Sequence, residues 1–157
     1  MNAFNIIGVI GASCANTNDY SNAYEVGKLI ALNNCILLCG GMGGIMEAAC
    51  KGAKSANGTS IGILPGESSK ESNKFVDIPI VTGLGEARNI IVVRSSQVII
   101  AVGGEFGTLS ELAFALKLNV PVIGLNTWNV SERIHKTHTA KEAVDKAIEL
   151  LSTAYTY

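Results

Sequence analysis

Charge is scarce in this chain of 157 residues: Asp, Glu, Lys and Arg together make up 16%, and the formal net charge is −1. There is no positive excess to draw in a nucleic acid. The basic residues Lys51, Lys54, Arg88, Arg94, Arg133 and Lys136 are scattered rather than clustered. Nucleic acid is therefore excluded as the main partner. Histidine is nearly absent, with His135 and His138 alone. Two histidines at helical spacing do not by themselves make a metal site, so no metal is expected. The four cysteines, Cys14, Cys35, Cys39 and Cys50, form no zinc-type pair and read as small buried hydrophobes in a reducing cytoplasm. Cys14 differs, because it sits at the mouth of an expected strand. No apolar run reaches the length of a membrane span, since Gly, Asn or charge interrupts each one. Residues 1–5 lack a basic region, so no signal peptide is expected and the setting is read as cytoplasmic. No repeat or linker breaks the chain, which reads as one domain over 1–157.

What is present is a high apolar content, 48% of residues. Strand-like runs at 5–11, 35–39, 60–64, 78–81, 98–102 and 120–125 alternate with helix-like runs near 20–33, 44–56, 85–96, 108–118 and 140–153. The strand runs are continuously apolar, as strands buried on both faces must be. This order predicts an α/β fold of Rossmann-like type: a doubly wound parallel sheet with helices on both faces. Ligands bind such sheets outside the carboxyl ends of the strands. Two segments stand apart. Residues 66–74 are polar and read as a mobile loop over that edge. Residues 128–139 show no period and read as a lid or an exposed feature.

Two glycine turns stand at the carboxyl edge. One is Gly103-Gly104-Glu105-Phe106-Gly107-Thr108, behind the run Val98–Val102. The other is Gly40-Gly41-Met42-Gly43-Gly44, behind Ile36–Cys39. Each leads straight into a helix. Backbone N–H groups in such a turn, added to the partial positive charge of a helix N-terminus, make a phosphate site. Candidate phosphate ligands are Gly41, Gly43, Gly44, Gly103, Gly104, Glu105, Phe106, Gly107 and Thr108. Gly11, Ser13 and Met46 are further candidate ligand contacts. Neither turn is a Walker loop, for no Gly-Lys-Ser/Thr follows, and neither carries the full dinucleotide fingerprint. Glu111 is an odd residue for a surface that only holds phosphate. It suggests that a second part of the ligand is handled there.

These residues resemble a known family. Arg88 on a helix, then an apolar strand, then Gly103–Glu111 is similar to the pattern of the LOG proteins: Arg, strand, Pro-Gly-Gly-x-Gly-Thr-x-x-Glu. LOG proteins are cytokinin-activating nucleoside-monophosphate phosphoribohydrolases. Gly40-Gly41-x-Gly-Gly-Ile-Met resembles the upstream LOG turn. The chain is identified as a short member of the superfamily that also contains the molybdenum cofactor carrier proteins, whose members are often mislabelled lysine decarboxylases. Gly103 replaces the LOG proline, Glu105 its second glycine, and Asn89 the lysine after the arginine. The segments Ala87–Asn89 and Arg94–Ser96 resemble the carrier-like branch.

The resemblance implies two activities. In the first, a LOG-like hydrolase cleaves nucleoside 5′-monophosphates to free base and ribose 5-phosphate, without a required cofactor. Arg88 and Glu111 would be its catalytic residues, with Glu111 stabilising the oxocarbenium-like transition state. In the second, a carrier or binding protein holds molybdenum cofactor or a related nucleotide without chemistry. Both take a small phosphorylated ligand. The apolar helices 85–96 and 108–118 add the expectation of a homodimer or tetramer.

Overall fold

The computed structural model describes residues 4–154. The signal-peptide reading rests largely on residues 1–3, which lie outside the described residues, as does the end of the expected domain, 155–157. The elements run in this order: β1 (Ile6–Gly11), α1 (Thr17–Leu32), β2 (Ile36–Cys39), α2 (Ile45–Ser55), β3 (Ser60–Leu64), a 3-10 turn (Ser69–Glu71), β4 (Ile78–Val81), a second 3-10 turn (Gly85–Arg88), α3 (Asn89–Arg94), β5 (Val98–Val102), α4 (Phe106–Lys117), β6 (Val122–Leu125), β7 (Ile134–Thr137) and α5 (Ala140–Ala154). The strands form one seven-stranded sheet in the order β4-β3-β2-β1-β5-β6-β7. Every pairing is parallel, with Gly8 opposite both Leu38 and Ile99 at the centre. The fold is α/β and Rossmann-like.

The strand residues are branched and apolar because both faces are covered. Side chains alternate across a pleated strand. Val98, Ile100 and Val102 therefore join the core beneath α1, α2 and α5, with Ile7, Val9 and Leu37. Ile99 and Ala101 point the other way, to α3 and α4, with Ile10, Leu38 and Val122. The two faces are unequally covered. Ile61 and Ile63 belong to the α3/α4 face, and their register partners Ile78 and Ile80 extend it onto the edge strand. There Ile78 and Ile80 stay exposed, as does Leu84 just beyond β4.

Three readings of the sequence need correction. Residues 128–139 do not form a lid without structure, because Ile134–Thr137 is the edge strand β7. An edge strand buries few side chains, here Ile134, so it shows no apolar run. Residues 85–96 are not one helix. Gly85, at φ 56°, opens a 3-10 turn, and the α-helical part spans Asn89–Arg94. Residues 66–74 are anchored. Ser68 and Glu71 form a capping box, and the Asn73 N–H donates to the Gly41 carbonyl at 2.9 Å. The Asn73 side-chain amide donates to the same carbonyl at 3.2 Å and to that of Met42 at 2.9 Å.

The topology opens a crevice. From β1 the chain winds outward through β2, β3 and β4, then returns to lay β5 on the other side of β1. The connections after β1 and β5 leave in opposite directions, so a gap forms outside the carboxyl ends of these two strands.

Candidate functional site

A cavity of about 450 Å³ fills that gap. Its floor is the end of β1, with Ile10, Gly11 and Ser13. Gly40, Met42 and Met46 from the β2–α2 connection form one wall. Glu86, Arg88 and Asn89 form a second, and Glu105, Gly107, Thr108 and Glu111 a third. Residues from distant parts of the sequence thus meet in one place.

Arg88 and Glu111 are both buried, at 7% and 6% exposure, and they face each other. Their closest approach, Nη1 to Oε1, is 4.0 Å, which is too long for a hydrogen bond. Arg88 Nη1 instead donates to Asn89 Oδ1 at 2.6 Å, and Nε has no partner among the described residues. A structural ion pair would close this gap and satisfy these donors. The guanidinium rests on Gly40, where an added Cβ would stand 2.7 Å from both Nη atoms. Any side chain at position 40 would push Arg88 out of place.

Burial pushes the Glu111 carboxyl up to about 7, and the Glu86 charge adds to the shift while Arg88 opposes it. The folded value lies above the ordinary 4.5. The stability owed to the neutral form is therefore full below about 4.5 and lost as pH rises through about 7. At neutral pH this carboxyl can accept or release a proton.

The third wall has the chemistry that an anion site needs. Glu105, the N-cap of α4, makes no side-chain cap, so the first-turn N–H groups are not used by it. Thr108, 2% exposed and on the cavity wall, carries a hydroxyl with no partner among the described residues. Unpartnered donors on Arg88 and Thr108, beside a helix N-terminus, suit a phosphate.

The other expected residues are distributed as follows. Gly41, Gly43 and Gly44 do not line the cavity, and Gly40 and Met42 take that place. Gly41 packs on Gly62 and Leu64, while Gly44 passes close to the Ala12 and Ser13 backbone. Gly103 and Gly104 line a separate hollow behind the turn. Phe106 points outward, 80% exposed. Cys14 is exposed and off the wall. Sequence reasoning did not find Gly40, Met42, Glu86 or Asn89 as site residues. Asn89 carried one signal, as the departure next to Arg88. It accepts from Arg88 and donates to Ser110 Oγ at 3.3 Å, linking two walls.

The sequence matches the SLOG cluster4 family over residues 5–153. The chain belongs to that family. It is 46% identical to an uncharacterised protein of Archaeoglobus fulgidus over 142 residues, which is 90% of this chain and 93% of that one. Two solved structures are also close. The molybdenum cofactor binding protein of the phototrophic bacterium Rippkaea orientalis is 40% identical, with a TM-score of 0.91 over 96% of this chain and 99% of that one. The molybdenum cofactor carrier protein of Chlamydomonas reinhardtii is 42% identical, with a TM-score of 0.86 over 94% and 99%.

A titration follows from the Glu111 environment. An anion beside Glu111 raises its carboxyl pKa further, so anion binding takes up a proton. Sulfate, which does not titrate in this range, binds best below about pH 7 and weakens above it, by up to about tenfold per pH unit. Glu111→Gln flattens this dependence. Isothermal titration at several pH values checks it, and equal sulfate affinity at pH 6 and 8 in the unaltered protein contradicts the assignment.

Proposed function

We propose that this SLOG cluster4 protein binds and carries a phosphorylated, ring-bearing cofactor of the molybdenum-cofactor kind and does not transform it. One observation carries the reading. Gly103 has φ 56°, in the left-handed region. The hydrolase pattern has proline there, and proline is held near −65°. The turn that leads to Glu111 thus takes a path that the hydrolase sequence cannot follow. The likeness to two molybdenum cofactor proteins over nearly the whole chain supports the same choice.

In this reading Arg88, Thr108 and the first turn of α4 hold the phosphate. Glu111, neutralised as the anion enters, hydrogen-bonds a ring or hydroxyl group. Glu86 and Glu105, both exposed, stand at the rim. The four free cysteines fit the reducing cytoplasm that this reading assumes. The exposed Ile78, Ile80 and Leu84 continue the apolar α3/α4 face, which is the surface through which two copies would pair.

The test is retention of cofactor. Molybdenum cofactor added to the protein should elute with it on gel filtration, and Arg88→Ala should weaken retention by roughly tenfold or more, the cost of a lost charge-assisted contact. Elution of all the cofactor apart from the protein contradicts the carrier reading. Light scattering should give the mass of a dimer or larger, and Ile80→Asp should lower it.

A second reading keeps one observation in its favour: Arg88 and Glu111 line a single cavity, as the hydrolase pattern requires. Incubation with AMP and related monophosphates discriminates. The carrier reading expects no free base. Base release that falls by about two orders of magnitude in Glu111→Gln would establish hydrolysis instead.

A further inference from the structure

A buried guanidinium and a buried carboxyl that face each other normally close to about 2.7–2.9 Å, because pairing offsets part of the cost of burial. Arg88 and Glu111 are both buried and do not close, for the nearest approach is 4.0 Å. A shift of roughly 1 Å would bring them together. The guanidinium is held back.

The restraint is the Asn89 side chain. Its Oδ1 accepts from Arg88 Nη1 at 2.6 Å, and Asn89 is 4% exposed, so bulk water does not compete for the bond. The amide is fixed in this orientation from its other end. Nδ2 donates to Ser110 Oγ at 3.3 Å and to Glu86 Oε2 at 3.4 Å. Ser110 Oγ gives its own proton to the Gly107 carbonyl at 2.7 Å, so towards Asn89 it can only accept. A flipped amide would set its N–H groups against the guanidinium and its oxygen against Glu86. Two walls of the cavity thus decide where Oδ1 stands, and the Gly40 backbone limits the guanidinium on a third side.

The residue type matters as well. The hydrolase pattern has lysine at this position. Lysine carries three donors and no acceptor, so it cannot hold an arginine back, and its charge repels one.

Few ionisable groups surround Glu111. Arg88 and Glu86 come from the second 3-10 turn and Glu105 from the turn before α4, whereas the cavity residues of β1 and of the β2–α2 connection carry no titratable side chain. Arg88 is the cation of this set, and it pulls the Glu111 carboxyl toward its charged form. Its distance therefore governs Glu111.

We propose that Asn89 is a positioning residue: it holds the Arg88 guanidinium apart from Glu111 and keeps the space between them open to an anion. Without Asn89 the pair closes, Glu111 takes its charge and the anion loses its partner. The inference rests on the anion-binding part of the carrier reading and not on the identity of the cofactor.

Glu111 can be followed directly by NMR of protein isotope-labelled at the glutamate side-chain carboxyl carbon, its resonance being the one lost in Glu111→Gln. A closer arginine favours the carboxylate, so its midpoint falls. From about 7 in the unaltered protein it should drop by at least about one pH unit in Asn89→Leu, which removes the acceptor, and in Asn89→Lys. Asn89→Asp keeps the acceptor and should show no drop. Near-UV circular dichroism shows that each variant is folded, and Asn89→Lys and Asn89→Asp carry the test by themselves if Asn89→Leu does not fold. Sulfate affinity gives a second readout. In Asn89→Leu it should fall about fivefold or more at pH 7 and recover at pH 5, as the carboxyl is neutralised.

An unmoved midpoint in folded Asn89→Leu or Asn89→Lys overturns the inference, as does a drop of the same size in Asn89→Asp. A loss of sulfate affinity equal at pH 5 and pH 7 overturns it too, because that marks a lost contact or a general disturbance. The two readings fail separately. A shifted midpoint with no retention of molybdenum cofactor keeps the role of Asn89 and removes the carrier. Retention of the cofactor with an unmoved midpoint does the reverse.

Discussion

The Arg88 guanidinium lies on the backbone of Gly40, bonds Asn89, and stops 4.0 Å short of the Glu111 carboxyl. Three chain segments are held around this one cation: the turn after β2, the start of α3 and the first turns of α4. A buried charge is costly unless it is paired and hydrogen-bonded. Here the pairing is incomplete, and Nε is left without a partner. The surrounding structure must therefore be firm enough to hold a guanidinium whose remaining donors face a cavity. In the proposed function a ligand anion would complete the set.

Glu111 answers to the same constraint from the other side. It is too far from Arg88 for a hydrogen bond and is buried deeply enough that its neutral form is favoured up to about 7. A carboxyl poised near neutrality can accommodate an incoming anion by taking a proton.

The turn after β5 serves two cavities because it has no side chains at positions 103 and 104. Its left-handed start directs Glu105 and α4 toward the first cavity and leaves room for Asp19 behind. The hydrogen bond from Trp128 to the Glu105 carbonyl ties the segment after β6 to this turn. Residues far apart in the chain are linked through one short stretch of backbone.

The alternation of apolar runs and helical runs determined the parallel sheet, because strands covered on both faces must be apolar throughout. It set β3, β4 and β5 at the observed bounds. The glycine turns located the edge where the cavity opens, since strand, turn and helix in that order leave backbone donors at the strand's carboxyl end. The edge strand β7 was not legible, as it buries too little to need an apolar run. Tertiary structure alone decided which of the glycines face the cavity. Gly40 lines the cavity and Gly41 does not, because the Arg88 side chain arrives from a distant segment and selects the residue it rests on. It alone brought Asp19 from α1, Gly103 from the end of β5, and Asn126 and Trp128 from beyond β6 into one hollow. No local pattern encodes that meeting, for it is made by the order in which the strands lie in the sheet.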